Sequence, residues 1–124
     1  GFTSATLAVS PFTLSRYADS LLTLTPASLP YAKKKSKSRR ETLIIQKFNL
    51  AKKAKKSWAS VRVNGRKMKV SSVKNSGANL RIRFKLVYGK WAQGNYTLVM
   101  SYKNKVNNAW ETGAFTGDNI FTVY

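Results

Sequence analysis

The 124-residue chain carries 23 lysine and arginine residues against four aspartate and glutamate residues, which gives a formal net charge of +19 at pH 7. Its hydrophobic fraction of 43% is enough for the core of one domain, so the charge does not mark a disordered tail. Unpaired cations repel one another, and a bound polyanion would relieve this repulsion. We therefore expect the folded protein to contact nucleic acid, an acidic polysaccharide or an anionic surface.

The residue types that most enzymes use for catalysis are scarce. The chain has no cysteine and no histidine, so it has no thiolate nucleophile, no disulfide and no imidazole base or metal ligand. Its four acids, Asp19, Glu41, Glu111 and Asp118, do not have the spacing of a metal-binding loop. The sequence therefore predicts a protein that is not an enzyme, with no cofactor, no metal site and no small-molecule substrate. It also predicts no transmembrane segment, since no apolar stretch approaches ~18 residues.

Short β-prone segments separated by turn residues recur along the chain, at residues 5–14, 21–25, 41–48, 58–63, 66–70, 79–87, 95–103 and 119–124. Asn64 and Gly65 separate two of them and suit a type I′ hairpin turn, in which both central residues have positive φ. Residues 51–56 have a helical composition but are too few to form a stable helix alone. The pattern predicts an all-β fold, a β-sandwich of about seven to eight strands.

The N-terminal part of the chain differs from the rest. Residues 1–32 hold one base and one acid, whereas residues 33–56 hold eleven bases against Glu41. We therefore expect residues 1–21 to form a β-prone arm and residues 22–124 to form the sandwich. The arm is expected to add a strand to its own domain or to a neighbouring subunit, and head-to-tail use of it would build a filament. Its candidate self-association residues are Leu7, Val9, Phe12 and Leu14.

The basic residues fall into two loop clusters and an outward stripe. In residues 79–87 the apolar side chains alternate with Arg81, Arg83 and Lys85, which therefore share the solvent face of a strand. Residues 31–40 have the composition of a flexible basic loop. The candidate polyanion-binding residues are Lys33, Lys34, Lys35, Lys37, Arg39, Arg40, Lys52, Lys53, Lys55, Lys56, Arg62, Lys67, Lys69, Arg81, Arg83 and Lys85.

The aromatic residues divide by position. Trp58, Phe84, Tyr96 and Phe121 lie in strand-like segments, which favours the core. Tyr88, Trp91, Trp110 and Phe115 lie near predicted turns, where they either stack on bases or sugars or close the ends of the sandwich.

Five segments carry a resemblance to a known family: LTLTPASLP (22–30), TLIIQKFNL (42–50), ASVRVNGRKMKVSS (59–72), GNYTLVMSY (94–102) and IFTV (120–123). Together they resemble the IPT/TIG immunoglobulin-like domain over about residues 22–124. The chain departs from that family at Lys47, where glycine is usual, in its basic first loop, and in the longer segment 104–118. The resemblance implies an immunoglobulin-like sandwich that binds a partner or acts as a spacer in surface or DNA-binding proteins, without catalytic residues.

These features favour a structural or adhesive module, a surface or extracellular filament subunit with a polyanion-binding face. The start at Gly1 rather than Met fits removal of a signal peptide. The alternative is a dedicated intracellular nucleic-acid-binding protein of a virion, a ribosome or chromatin. A third interpretation is a carbohydrate-binding module that uses Trp91 or Trp110.

Overall fold

A computed structural model describes residues 5–8, 21–48, 55–106 and 109–124, with the backbone alone for residues 5–8, 104–106 and 109–112. The described strands are β1 (Ala5–Ala8), β2 (Leu21–Thr25), β3 (Ser28–Leu29), β4 (Ser38–Ile45), β5 (Ala59–Val63), β6 (Arg66–Ser76), β7 (Asn79–Val87), β8 (Gly94–Val106) and β9 (Ala109–Val123). A short 3-10 helix, Lys56–Trp58, precedes β5. The predicted all-β class is confirmed.

The described strands form one mixed sheet with the order β1-β2-β4-β7-β6-β5-β8-β9-β3. Every neighbouring pair is antiparallel except β3 and β9. The long strand β6 joins the two halves, because its first residues pair with β5 and those from Lys69 onward pair with β7. A bulge between Val70 and Ser72 interrupts the register in β6. Bulges bend strands and increase their twist, and the curled sheet brings β1 within 8 Å (Cα to Cα) of β9.

The core fills the inside of this curl. The predicted alternation in β7 is confirmed, since Leu80, Ile82, Phe84 and Leu86 are all buried. The ring of Phe48 lies between the two halves of the sheet and meets Tyr102 and Phe115 edge-to-face, with centroid distances of 5.8 and 5.5 Å. Edge-to-face aromatic pairs add stability beyond the area that they bury.

The β5–β6 hairpin follows its sequence signature. Asn64 and Gly65 have φ values of 51° and 83°, as a type I′ turn requires, and Val61 lies opposite Met68 with both side chains buried. The predicted helical composition of residues 51–56 falls mostly outside the described residues. Trp58, predicted to be in a strand, lies in the 3-10 helix instead.

The N-terminal arm contributes an edge strand. Ala5–Ala8 pair antiparallel with β2 of the same chain, and Leu7 lies opposite Leu22. Val9, Phe12 and Leu14 lie outside the described residues. Pairing of the arm with a neighbouring subunit stays a prediction.

The immunoglobulin-like assignment also stays a prediction. An immunoglobulin sandwich packs two sheets face to face, whereas here β6 links all described strands into one curled sheet. Residues 104–106 and 109–118 belong to the part of the β8–β9 pairing that lies away from the start of β8.

Candidate polyanion-binding surface

Three cations lie side by side on the outer face of the sheet. Arg40 in β4 is the cross-strand partner of Lys85 in β7, and Lys85 is in turn the partner of Lys69 in β6. All three side chains are exposed. Because the three residues are direct cross-strand partners, they form a line perpendicular to the strands, with neighbouring strands about 4.8 Å apart. We call this line the basic row.

Like charges directly opposite one another on a sheet are destabilising, and no described carboxylate offsets this row. Glu41 is fully buried on the inner face of β4. Asp118 lies in β9, separated from β6 by β5 and β8, and its Oδ1 accepts a hydrogen bond from the Thr97 hydroxyl. The basic row therefore has no described acidic partner.

The basic surface continues along β7. Arg83 is exposed on the same face as Lys85, and Ser71 donates a hydrogen bond to the Arg83 carbonyl oxygen at 3.0 Å. Arg81, farther along, is half-buried and lies between Ile44 and Lys74 on the flanking strands. The outward placement of Arg81, Arg83 and Lys85 thus agrees with the alternation of the sequence.

The basic loop, which holds Lys33, Lys34, Lys35 and Lys37, is fastened to the turn between β7 and β8. The backbone amides of residues 88 and 89 both donate to the Lys37 carbonyl oxygen, at 3.0 and 3.2 Å. The amide of residue 90 donates to the carbonyl oxygen of residue 32 at 2.7 Å. The sequence predicted a flexible loop here. The structure shows specific backbone partners for this loop, which set the path of the chain into Arg39 and Arg40, and its flexibility stays a prediction.

Four shallow depressions on the outer face share lining residues and form one path, which we call the basic track. The first, of about 560 Å³, lies over β5, β8 and β9 and shares Lys67 with a second over β6. The second shares Lys69 and Lys85 with a third, and the third shares Arg39 and Arg40 with a fourth beside Arg83. A ligand in the track would cross the strands and meet the basic row at its centre.

Trp58 stands at one end of the basic track. Its half-buried ring lines the first depression and meets Tyr102 edge-to-face at 6.4 Å. The Lys55 ammonium lies 5.0 Å from the centroid of the ring, within cation–π range. The sequence predicted that Trp58 lies in the core; its ring packs against the core cluster but is only partly buried.

The other candidate cations lie off the track or outside the described residues. Lys56 is exposed on the 3-10 helix, and the Arg62 guanidinium donates to the Gly65 carbonyl oxygen at 3.2 Å across its own turn. Lys52 and Lys53 lie outside the described residues.

Trp91 is buried and does not lie on the surface. Its side chain is 9% exposed, and its ring packs against Tyr96 at 4.8 Å and Phe121 at 6.4 Å. Phe115 and Tyr88, also near predicted turns, are buried. The ring of Trp110 lies outside the described side chains. Of the turn aromatics that the structure describes, none offers an open stacking face.

Glu41 carries the most perturbed carboxyl group among the described residues. Its side chain is fully buried on the inner face of β4, opposite Phe84, and neither carboxyl oxygen has a hydrogen-bond partner within the described structure. Burial raises the pKa of Glu41 to about 8, against a lowering effect of the Arg39 charge. The carboxyl group is therefore neutral at pH 7 and does not act as a counter-charge to the basic row.

Tyr88 shares this environment. Burial raises the pKa of its phenol above the ordinary value; the Arg39 charge lowers it and the charges of Glu41 and Tyr124 raise it. Sequence reasoning missed the burial of Glu41, because Leu43, Ile44 and Ile45 are all apolar and do not show which face of β4 points inward; the burial of residues 41, 43 and 45 shows it.

Comparison of the chain with protein-family models, with curated proteins and with solved structures returned no match. The fold and surface define a class: an all-β protein with exposed cations clustered on the outer face of β4, β6 and β7. Within the part of the chain that the structure describes, no helix has the length and apolar character to cross a membrane.

Proposed function

We propose that this protein is a non-catalytic module that binds an anionic polymer along the outer face of its sheet. The observation that carries the proposal is the basic row, in which Arg40, Lys85 and Lys69 lie in register on three adjacent strands. Such an arrangement costs stability in the free protein. A ligand with regularly spaced negative charges would offset that cost by neutralising all three cations together.

A polymer fits this surface better than a small anion. The shared lining residues extend the cationic surface from the basic row to Lys67 on one side and Arg83 on the other. The basic loop, held by its backbone hydrogen bonds, adds further lysines next to the N-terminal end of β4. A surface or extracellular location is the corresponding proposal, and an intracellular nucleic-acid-associated location is its alternative.

Neutralising part of the basic row tests the proposal. We expect the double variant Lys69→Gln/Lys85→Gln to bind a polyanion roughly 10- to 50-fold more weakly at 0.1 M salt, because two charge contacts are lost. The slope of log affinity against log salt should become shallower by about 1.4 to 1.8, since each lost contact contributes about 0.7 on single strands and 0.9 on duplex DNA. Fluorescence anisotropy over a salt series measures both quantities.

The matched control is Lys56→Gln/Lys90→Gln, which removes the same charge from two exposed positions that line none of the four depressions of the track. We expect a smaller loss of affinity. Urea unfolding should show the free row variant to be more stable than the unsubstituted protein, because a repulsive cross-strand pair has been removed. Equal losses of affinity in the two double variants would contradict a specific role for the row.

We further propose that the N-terminal arm joins copies of the protein into an assembly. The supporting observation is that β1 is at the edge of the described sheet and pairs with β2 alone within it. An edge strand of four residues can be exchanged for the same strand of a neighbouring copy at low cost.

Deletion of residues 1–16 tests the arm. We expect the deletion to abolish assembly in the absence of any polyanion while the remaining domain stays folded, because the pairing strand is gone. Sedimentation velocity over a concentration series, with circular dichroism to check the fold, makes the measurement. Assembly that persists unchanged after the deletion rules the arm out as the joining element.

A further inference from the structure

We infer that the anionic polymer is a single-stranded nucleic acid, which follows the basic track and places one unpaired base against Trp58. This inference rests on the proposed function and specifies its ligand.

The path of the basic track favours a flexible polymer. From Ala114 in β9 to Arg40 in β4 it crosses six adjacent strands of the sheet, a distance of about 24 Å. The sheet curls along this direction, so its outer face is convex. Duplex DNA has a persistence length of about 50 nm and stays straight over such a distance, so it touches only part of the track. A single strand can bend to keep its phosphates on the cations throughout.

The first depression has a floor of small residues. Ala59, Ser60, Ser101, Gly113 and Ala114 line it together with Trp58. Small side chains on adjacent strands extend only a short distance from the backbone, so a flat group can lie close to the sheet beside the tryptophan ring. The volume of about 560 Å³ falls in the range of sites that take a small-molecule-sized group.

The tryptophan ring favours nucleic acid over an acidic polysaccharide. Every base has a planar π face that stacks on an aromatic side chain without regard to sequence. Acidic sugars match the lysines equally well and can also pack on an aromatic ring, but their puckered rings make a less complete face-to-face contact than a planar base does. Lys67 and Lys103 line the same depression as Trp58, and Lys55 lies over its ring. A base on the ring would take the place of the Lys55 ammonium, which would then meet the adjoining phosphate.

The test compares a short oligothymidylate with an abasic oligomer of the same length, which has the same phosphates but no bases. We expect Trp58→Leu to weaken binding of the oligothymidylate roughly 5- to 50-fold and to leave binding of the abasic oligomer unchanged. Trp58→Phe should retain most of the affinity because it keeps an aromatic face. Binding of the abasic oligomer also reports that the basic track of each variant is intact.

A duplex of matched sequence and heparin complete the design. We expect the unsubstituted protein to bind the single strand more tightly than the duplex, and heparin binding not to depend on Trp58. Equal losses for the base-bearing and abasic oligomers on Trp58→Leu, or no loss for either, would overturn the inference. Preference for the duplex or for heparin would also overturn it while leaving the proposed function intact. Failure to bind any of the four polymers would overturn both.

Discussion

Replacing Glu41 with glutamine is expected to remove most of the pH dependence of stability between about pH 5 and pH 8. The carboxyl group of Glu41 has an ordinary pKa of 4.5 and a pKa of about 8 in the folded protein, because burial disfavours its charged form. Glutamine has nearly the same shape as the protonated acid and does not ionise. The substitution therefore keeps the packing of the neutral side chain and removes its titration.

Proton linkage makes the folded protein less stable as the pH rises. Between pH 4.5 and 8 the folded state holds the Glu41 proton and the unfolded state has released it, so the folded state binds more protons. The free energy of unfolding then falls as the pH rises, by about 1.4 kcal/mol per pH unit within this window. The contribution is fully present below pH 4.5 and is lost above the folded pKa. The unsubstituted protein should be least stable at alkaline pH.

Urea unfolding from pH 5 to pH 9 measures this profile. The difference between Glu41→Gln and the unsubstituted protein should be small near pH 5 and reach on the order of 3–5 kcal/mol, in favour of the variant, by pH 8.5. The chain has no histidine, so no side chain with an ordinary pKa near 6.5 titrates within this pH range. Asp118→Asn, which neutralises an exposed acid, is the control and should retain the slope. Parallel profiles for Glu41→Gln and the unsubstituted protein would contradict the prediction.

The sequence predicted the features that depend on neighbouring residues. The side chains of β7 alternate between core and solvent because that period is a local property of an extended backbone. The Asn64–Gly65 turn forms as predicted because both residues tolerate positive φ. Within a single strand, therefore, the sequence already separated inward residues from outward cations.

The basic row could not be predicted because register is a tertiary property. Arg40, Lys69 and Lys85 come from three strands that are distant in sequence, and a shift of one residue in either pairing would break their alignment. The sequence supplied the outward stripe along β7. The structure adds the direction across the strands, along which the basic track runs.

The sequence also gave an incomplete account of two individual residues. Trp58 was assigned to the core because it lies in a strand-like segment; it packs against the core from the 3-10 helix instead, which leaves part of its ring at the surface. Glu41 was treated as one of a few scattered acids, but its strand register turns it inward beside Phe84. In both cases the tertiary structure decides how far the side chain is buried.

Replacing Gly89 with alanine is expected to displace the basic loop and to weaken both stability and polymer binding. A Cβ atom at Gly89 would lie 2.5 Å from the Lys35 carbonyl oxygen and 2.7 Å from its carbonyl carbon, and it would also overlap the Lys34 carbonyl oxygen. These are backbone atoms, so a side-chain rotation cannot relieve the overlap. The loop must move away, and its hydrogen bonds from residues 88–90 are then lost or lengthened.

We expect Gly89→Ala to lower the free energy of unfolding by about 2–3 kcal/mol, as overpacking of a close contact does. Polymer affinity, measured where both proteins are folded, should also fall, because the loop sets the path into Arg39 and Arg40. Gly77→Ala is the control: its Cβ meets open space, and its φ of +61° costs about 1–2 kcal/mol of backbone strain. That control should lose stability and keep its affinity, because the β6–β7 turn lies away from the basic loop. If Gly89→Ala loses stability but binds as tightly as Gly77→Ala, the loop does not position the cations, and the basic row binds the polymer without it.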